Sequence, residues 1–482
     1  MSNTNINAEE TGSMINLENP SFIGYIQESL IKNWESAALT DYQGQTILYK
    51  EMAASIEKAH ILYRSAGLNP GDKIAICAKN CSNWAVAFFS IITYGAVPVP
   101  ILADFKADYI HNIVNHSEAR LLYAGDAQWK SISTEKMPAV KGYFLVSDLS
   151  LLQTSERSLE DACDNIDNLF SQRFPNGFSQ NDVDYYKETD TNNMAVLNYT
   201  SGTTSFPKGV MIPYRALRMM VKYSVVKMYL KPGSSTVCML PLAHMFGMMF
   251  ELIYDIALGC HIHFLTKIPS PKIIFQTFAE FKPTLIITVP LVIEKVVQNV
   301  ILPVLNKPSM RIALHVPILR QSILKKIRQK LLDAFGGEMK ELIIGGAALS
   351  KDVEDCLRML HFPFTVGYGA NECCSFGCPD RKKCYEDVSR KALGIEGPDH
   401  HCASDILNEG YRFSKAMTNK GFISREDIEK VYLKMGFSNF KIEGRSLGSA
   451  LILEFILYYL TKPECQLLVR EELYLDNTLD LF

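Results

Sequence analysis

Cysteine, tryptophan and an excess of charge of either sign are all scarce in this sequence of 482 residues. Its 12 cysteines are far too few for a small secreted scaffold held together by disulfides. The 49 basic and 52 acidic residues nearly cancel to a net charge of −3, so no nucleic-acid partner is expected on electrostatic grounds. Internal repeats and low-complexity tracts are also missing. Disordered, fibrous and collagenous chains are therefore excluded.

Uninterrupted hydrophobic runs long enough to cross a membrane are absent as well. The stretch 88–102 is too short for about 30 Å of hydrocarbon, and 239–265 contains His244, Glu251 and Asp255. Both stretches are predicted to be buried core. The polar N-terminal segment has neither the basic region nor the apolar centre of a signal peptide. A reduced, cytoplasmic protein is therefore the default prediction.

What is present is the composition of a globular protein, with 48% apolar and 21% charged residues. Its length predicts about three domains. Short apolar runs alternate with helical periodicities, which predicts an α/β fold with a largely parallel sheet. A polar, acidic stretch over 150–190 is predicted to be a surface region. The strand candidates are 74–77, the end of 83–101, 119–126, 194–200, 235–242, 283–290, the start of 340–350 and 363–372.

A basic helix is predicted within 311–335. Its cations include Arg320, Lys325, Lys326 and Lys330. This pattern is typical of a solvated helix face, and it also suits contact with an anionic membrane.

The segment richest in chemistry is 199–210, YTSGTTSFPKGV, which follows an apolar strand. Glycine lets a backbone approach a phosphate closely, hydroxyl groups donate to its oxygens, and lysine supplies a positive charge. Lys208 precedes Gly209, so the segment is not a Walker A loop. A Ser/Thr-rich surface turn is the alternative, which the order of the residues disfavours. The residues expected to contact phosphate are Thr200, Ser201, Gly202, Thr203, Thr204 and Lys208.

This string resembles the phosphate loop of the adenylate-forming (AMP-binding) superfamily, which includes acyl-CoA synthetases and luciferases. Further segments resemble that family in its order: LPLAHMFG (240–247), TVPLVIEKV (288–296), IIGGAALS (343–350) and VGYGANE (366–372). The resemblance covers about residues 20–372 and is strongest to long-chain fatty acyl-CoA ligases. Ser205 stands where the family usually has glycine, and Asn371 where it usually has threonine.

The resemblance implies ATP-dependent activation of a fatty acid to acyl-AMP, followed by transfer to coenzyme A or an acyl carrier protein. It implies ATP, Mg²⁺ and coenzyme A as cofactors. The implied fold is the N-terminal domain of an adenylate-forming enzyme, with two similar sheet-and-helix subdomains. The expected boundaries are 1–190 for the first subdomain, 191–372 for the ATP- and acyl-binding subdomain, and 373–482 for a small Cys-rich tail.

The same resemblance assigns roles to individual residues. Thr200 and Glu372 would bind Mg²⁺, and both would act in catalysis with Lys208 and His244. Tyr368 would stack on the adenine, and His244 and Phe246 would lie near the acyl carboxylate. The remaining residues expected to bind the nucleotide are Gly345, Gly346, Ala347, Gly367, Gly369 and Asn371.

The tail, 373–482, does not resemble the remainder of that family. It contains neither the expected ribose-binding aspartate motif nor the adenylation lysine motif, so we expect a truncated ligase with impaired turnover. The alternatives are a non-catalytic nucleotide or acyl binder, and a fusion product with a metal-binding tail.

The tail has a character of its own. It faintly resembles the end of a collagenase-like peptidase barrel, and its cysteines suit either a metal cluster or reduced thiols. Ser424 and Asp427 predict a helix N-cap with a loose capping box. The cysteines in question are Cys373, Cys374, Cys378, Cys384 and Cys402.

Overall fold

The computed structural model describes residues 16–200, 207–267, 271–305, 307, 310, 313, 316–347, 349–367, 424–433 and 458–460. The chain divides into two compact units, Met1–Phe376 and Gly377–Phe482. The described part of the first unit contains two large sheets and one hairpin, with helices between the strands. In the second unit the described residues include a short helical segment, Arg425–Asp427 continued by Ile428–Tyr432.

The described strands are numbered in chain order. The first seven are β1 (Ala37–Asp41), β2 (Thr46–Leu48), β3 (Lys73–Cys77), β4 (Val97–Ile101), β5 (Ala119–Ala124), β6 (Gly142–Leu145) and β7 (Leu151–Thr154). The other seven are β8 (Met194–Thr200), β9 (Lys208–Pro213), β10 (Ser235–Cys238), β11 (His261–Phe264), β12 (Leu285–Thr288), β13 (Glu341–Ile344) and β14 (Phe364–Val366). The principal helices are Phe22–Lys32, Tyr49–Ser65, Ser82–Tyr94, Ala107–His116, Arg157–Asp164, Ile166–Arg173, Tyr214–Lys227, Pro271–Phe281, Pro290–Val296, Pro317–Ala334 and Lys351–Met359.

The first sheet has five strands in the order β4-β3-β5-β6-β7. Its neighbours pair in parallel except β6 and β7, which are antiparallel. Residues 74–77 of β3 and the whole of β4 are buried and apolar because both faces of this parallel sheet are covered. Pro98 and Pro100 lie in β4, at the edge of the sheet, where a missing backbone N–H interrupts no ladder.

The second sheet has seven strands in the order β14-β13-β12-β10-β11-β1-β2. All neighbours pair in parallel except β1 and β2. Leu39 of β1 pairs with Ile262 of β11, so the sheet combines strands from both sides of residue 190. The expectation of largely parallel sheets is confirmed for both large sheets.

Strand β8, which leads into the phosphate-loop segment, belongs to neither of the two large sheets. Strand β8 has the predicted bounds, but it forms an antiparallel two-stranded sheet with β9, a strand that the sequence did not predict. The reason is local, because the short loop between the two strands permits an antiparallel hairpin and not the long crossover that parallel strands need.

The predicted core stretch 239–265 is confirmed as interior. Its helix runs as Met245–Met248, a π-helical turn over Met249–Ile253, and Tyr254–Leu258, and every residue in these three pieces is buried. Gly259 ends the helix with a φ of 86°, a left-handed conformation that glycine adopts without strain.

Other predicted elements differ mainly in their bounds. The basic helix predicted within 311–335 is Pro317–Ala334. The region 150–190 contains β7 and two helices, and Leu159 and Ala162 of the first helix are buried. Among the helices of the described part, none is both long and apolar enough to cross a membrane.

Candidate active site

The phosphate-loop segment is held at both ends by the hairpin. Thr200, the last residue of β8, pairs with Lys208, the first residue of β9. Thr200 is half-buried and Lys208 is exposed. The hairpin therefore presents a hydroxyl group and a cation at the same end. The loop residues Ser201, Gly202, Thr203, Thr204 and Ser205 lie outside the described residues.

Two hydrogen bonds fix this hairpin to the rest of the unit. The fully buried Asn198 donates from Nδ2 to the carbonyl oxygen of Ala243 at 2.9 Å. The Tyr199 hydroxyl lies 2.6 Å from Nδ1 of His116, at the end of the helix Ala107–His116. Sequence reasoning missed both positions. An asparagine inside the apolar strand MAVLNYT is a usable signal for Asn198, whereas nothing in the sequence marks His116.

His244 begins the buried helix as its N-cap. Its Nδ1 accepts a hydrogen bond from the backbone N–H of Phe246 at 3.2 Å, which leaves the ring proton on Nε2. The residue is exposed overall, yet the surrounding protein removes enough water from the ring to lower the pKa of His244. The ring is therefore neutral near pH 7 and presents an N–H donor.

The segment around His244 is positioned by groups beneath it. Asn80, which follows β3, donates to the Leu240 carbonyl oxygen at 2.6 Å and accepts from the Leu242 N–H at 3.0 Å. The Oε2 of Glu251 accepts the backbone N–H groups of Met239 and Leu240, at 3.1 and 2.8 Å. Sequence reasoning missed Asn80 and Glu251 as positioning residues.

A second carboxyl group lies one helical turn beyond Glu251. The hydroxyl of Thr236 donates to Oδ2 of Asp255 at 2.7 Å. Burial raises the pKa of Asp255 to about 7, and burial raises the pKa of Glu251 well above its usual value. Within the described residues, Oε1 of Glu251 and Oδ1 of Asp255 have no hydrogen-bond partner. Both acids therefore favour the protonated form.

The glycine turn after β13 meets the His244 segment directly. The N–H of Gly345 donates to the Thr288 carbonyl oxygen at 2.9 Å. A Cβ atom added at Gly345 would lie 2.6 Å from Cζ of Phe246, so the absence of a side chain lets the phenyl ring rest on the backbone. Gly346 has a φ of 85°, a left-handed conformation, and it is exposed together with Ala347.

The last predicted segment lies on the neighbouring strand. The buried Gly367 follows β14 and donates its N–H to the Ile344 carbonyl oxygen at 2.8 Å. Gly367 and Gly345 therefore follow the carboxyl ends of adjacent parallel strands. The remaining predicted residues, Tyr368, Gly369, Asn371 and Glu372, lie outside the described residues.

These contacts bring separate sequence segments to one edge of the seven-stranded sheet. A family model described as AMP-binding enzyme matches residues 27–410. The chain belongs to the AMP-binding enzyme family. The match extends beyond Glu372, where the resemblance of individual motifs ends.

A curated relative and two solved structures are similar to this AMP-binding enzyme in sequence or in fold. Long chain acyl-CoA synthetase 1 of Arabidopsis thaliana is 26% identical over 362 residues, which are 67% of this chain and 52% of that protein. The chain thus spans about half the length of the curated relatives it matches.

Both structures are similar in fold. An anthranilate CoA ligase, AuaEII in complex with anthranoyl-AMP, has a TM-score of 0.56 at 16% identity, covering 75% of this chain and 61% of that one. The N-terminal domain of FACL13 from Mycobacterium tuberculosis has a TM-score of 0.54 at 15% identity, covering 74% and 78%. At these identities the likeness establishes the fold alone. It confirms the predicted α/β N-terminal domain of an adenylate-forming enzyme.

The described residues include only part of the predicted metal ligands. Of the Mg²⁺ ligands expected in this AMP-binding enzyme, Thr200 is described and Glu372 is not. Within the part of the chain that the structure describes, no three His, Cys, Asp or Glu side chains converge as metal ligands. The tail cysteines Cys373 to Cys402 lie outside the described residues.

The capping box predicted in the tail is confirmed, because Asp427 donates its N–H to Ser424 Oγ and its carboxylate accepts from the Ser424 N–H.

Proposed function

We propose that this AMP-binding enzyme activates a long-chain fatty acid. The carboxylate attacks the α-phosphorus of ATP, a bond to the acyl oxygen forms, and pyrophosphate leaves with the electron pair of the broken P–O bond. The thiol of coenzyme A then attacks the acyl carbon, and AMP departs. An acyl carrier protein is the other thiol that this chemistry accepts.

The observation that carries this proposal is the contact between Phe246 and Gly345. It joins the segment predicted to hold the acyl carboxylate to the turn predicted to hold the adenine. An acyl adenylate has its carboxyl carbon and its nucleoside on opposite sides of one phosphate. A site for its formation therefore needs an acyl side and an adenine side in direct contact, as these two segments are.

The donor groups suit a negatively charged transition state. Lys208 would hold the leaving phosphates, and the hydroxyl of Thr200 begins the loop that would surround them. No aspartate or glutamate occurs between Asp190 and Glu251, so no acidic side chain within this segment opposes an anionic ligand. Bound Mg²⁺ would neutralise phosphate charge, with Thr200 and Glu372 as its proposed ligands.

His244 and the glycine turn would orient the substrates. The neutral ring of His244 offers its Nε2–H as a hydrogen-bond donor to the acyl carboxylate. Gly346 and Ala347 are exposed at the sheet edge and would form one wall of the adenine site. Tyr368 would form the opposite wall, with Gly367, Gly369 and Asn371 beside it.

The acyl class is inferred from the relatives. The curated relative from Arabidopsis thaliana is named a long chain acyl-CoA synthetase, which supports a long-chain fatty acid as the substrate. A cytoplasmic location with peripheral contact at a membrane belongs to the same proposal, because a long-chain acid partitions into lipid.

ATP–pyrophosphate exchange on the purified full chain tests this function. We expect exchange that depends on a fatty acid, with long acids preferred over short ones. Lys208→Ala should lower the exchange rate by about 100-fold or more, since removing one donor to a transition-state oxyanion typically costs that much. Lys231→Ala removes a cation from the same acid-free segment without touching the loop, and should exchange like the parent.

Two outcomes would contradict the proposal. Unchanged exchange in Lys208→Ala would refute the role of that lysine. ATP binding by a folded protein without exchange for any acid would replace the proposed enzyme with a non-catalytic nucleotide or acyl binder.

A further inference from the structure

The helix that follows the phosphate-loop hairpin carries an unusual outer face. This helix, Tyr214–Lys227, buries Tyr214, Leu217, Val221, Ser224 and Val225 against the core. At 100° per residue, its opposite side forms one continuous stripe. That stripe consists of the half-buried Lys222 and five exposed residues, Arg215, Met219, Tyr223, Val226 and Lys227.

Large apolar side chains cluster on this stripe and just beyond it. Met219 is 54% exposed and Val226 is 42% exposed. Tyr229, which follows the helix, is 61% exposed. Single exposed apolar residues are common on proteins, but several within three turns of one helix mark a surface that contacts another phase or partner.

The charges around these residues all have one sign. Arg215, Lys222, Lys227 and Lys231 flank the apolar side chains, and the segment between Asp190 and Glu251 contains no acid. In the described part of the chain, no ion pair involves any of these four cations. A chain with a net charge of −3 thus concentrates unopposed positive charge beside exposed methionine, valine and tyrosine.

We propose that this stripe, Arg215–Lys231, is a docking surface for an anionic lipid bilayer. Lysine and arginine bind the negative surface, while methionine, valine and tyrosine enter the boundary between head groups and acyl chains. Long cationic side chains reach back to phosphate level while their methylene stems stay in the apolar layer. The proposal makes the peripheral contact suggested above specific to one helix.

The basic helix Pro317–Ala334 is the competing surface, and it fits a bilayer less well. Lys325, Lys326 and Lys330 are exposed there, but Leu319 is the one large apolar side chain exposed among its described side chains. Cations without apolar neighbours favour a solvated face. This helix therefore supplies a control of matched charge.

Vesicle co-sedimentation of the purified full chain tests the assignment. We expect binding to phosphatidylcholine vesicles that contain phosphatidylglycerol, and much weaker binding without it. Lys222→Gln with Lys227→Gln should weaken binding about thirtyfold, since each cation near an anionic surface contributes about fivefold. Lys325→Gln with Lys326→Gln should leave binding unchanged. Met219→Ser with Val226→Ser should abolish the binding that remains at high salt, where charge is screened.

Several results would overturn the proposal. The first is that the parent protein does not bind anionic vesicles, and the second is that both lysine-pair variants lose vesicle binding equally. The third is that single-stranded DNA displaces the parent from vesicles and that the Lys222/Lys227 variant no longer binds this DNA. The last result would assign the stripe to nucleic acid. Vesicle binding is measured without ATP or fatty acid, so its failure leaves the proposed adenylation intact. Normal exchange with a water-soluble short acid confirms that each variant is folded.

Discussion

The two large sheets are built alike, but they treat the carboxyl ends of their strands differently. In the five-stranded sheet, Gly125 follows β5, and the side chain of Gln128 crosses this edge to donate to the Ala103 carbonyl oxygen at 2.8 Å. In the seven-stranded sheet, Gly345 and Gly367 follow β13 and β14, and Gly346 is exposed. Among the described residues, the Gln128 side chain bridges the ends of two strands in the first sheet, whereas the turn after β13 in the second sheet has the exposed Gly346.

The difference teaches that the parallel sheet alone does not make a site. Open α/β sheets bind ligands beyond the carboxyl ends of their strands, provided that the residues there leave room. At the carboxyl end of the five-stranded sheet, a residue positions the backbone of the candidate site instead of lining a ligand space. Asn80, which follows β3, fixes the backbone of Leu240 and Leu242.

The largest expected effect comes from adding one methyl group after a strand of each sheet, which tests the difference between the two sheets directly. Gly345→Ala places a Cβ atom 2.6 Å from the Phe246 ring, which must move away from the site. We expect pyrophosphate exchange to fall about 100-fold, the size of effect that a displacement of about 1 Å can cause. Adding Phe246→Leu to this variant should restore part of the rate, because the smaller side chain relieves the clash.

Gly125→Ala is the matched substitution in the five-stranded sheet. Its Cβ atom would lie 2.5 Å from Oε1 of Gln128, the end of a flexible side chain that can shift, and 3.1 Å from Cβ of Ala78. We expect exchange within about threefold of the parent, since this edge contacts no substrate. Equal losses of exchange in both alanine variants would contradict the distinction between the edges.

A smaller effect should follow from removing the hydrogen bond that anchors the hairpin. Asn198→Ala leaves the Ala243 carbonyl oxygen without its buried donor, so we expect a loss of about 1–3 kcal/mol in the free energy of unfolding. Exchange should fall about tenfold because the loop shifts relative to His244. Urea unfolding and exchange kinetics measure the two effects.

The control for that variant lies beside the five-stranded sheet. Asn83 is half-buried, and it donates to the Ser147 carbonyl oxygen at 2.8 Å in a hydrogen bond that is exposed to solvent. Asn83→Ala should change the free energy of unfolding by less than about 0.5 kcal/mol and leave exchange unaltered. A loss of exchange in this control as large as in Asn198→Ala would show that the hairpin anchor has no special role.

A separate effect, on stability and not on exchange, concerns pH and the buried carboxyl group of Asp255. Burial raises the pKa of Asp255 to about 7, above the value near 4 that an unfolded aspartate has. The folded state therefore holds a proton that the unfolded state releases between about pH 4 and pH 7. The stability that this proton provides is present at low pH and is lost as pH rises to 7.

Asp255→Asn should remove this dependence. We expect the variant to be more stable than the parent by up to about 4 kcal/mol at pH 8, because a pKa raised from near 4 to about 7 costs the charged form about 1.4 kcal/mol per pH unit. The difference should be smaller at pH 5, because the amide mimics the protonated acid. Asp108→Asn changes an exposed group whose pKa Lys136 lowers, and should show no such gain. Thermal unfolding across this pH range measures both. A parent that loses no stability between pH 5 and pH 8 would contradict the assigned pKa.

Much of the fold could be predicted because its strands are short apolar runs bounded by turns. Strand β8 was predicted with its observed bounds, and the glycine turn after β13 was predicted as a turn. The pairing of β8 could not be predicted, because β9 (KGVMIP) is short, only partly buried and begins inside the phosphate-loop motif. Hydrophobic periodicity carries no signal for a strand of that kind.

The site was predictable where a motif carried it, and not where a side chain acts at long range. His244, Lys208 and Gly345 were predicted as site residues from ordered strings of residues, and their roles stay predictions. Asn80 and Glu251 were missed because each acts by hydrogen bonds to the backbone of another segment. Such contacts depend on tertiary packing. From the sequence alone, an asparagine or glutamate that positions another segment cannot be distinguished from any other polar residue in an apolar stretch.

The position of β1 in the seven-stranded sheet has a consequence for how the protein is made. β1 lies between β11 and β2, and its partner Ile262 follows Leu39 by about 220 residues. At ribosomal rates of about 5–20 residues per second, roughly 10–45 s pass before that partner leaves the ribosome. Until β10 and β11 are made, β1 has only β2 as a partner in this sheet, and the edge of β1 that later pairs with β11 is unpaired. An unpaired strand edge of this kind can pair with another chain, so this part of the nascent chain is exposed to misassembly during that interval.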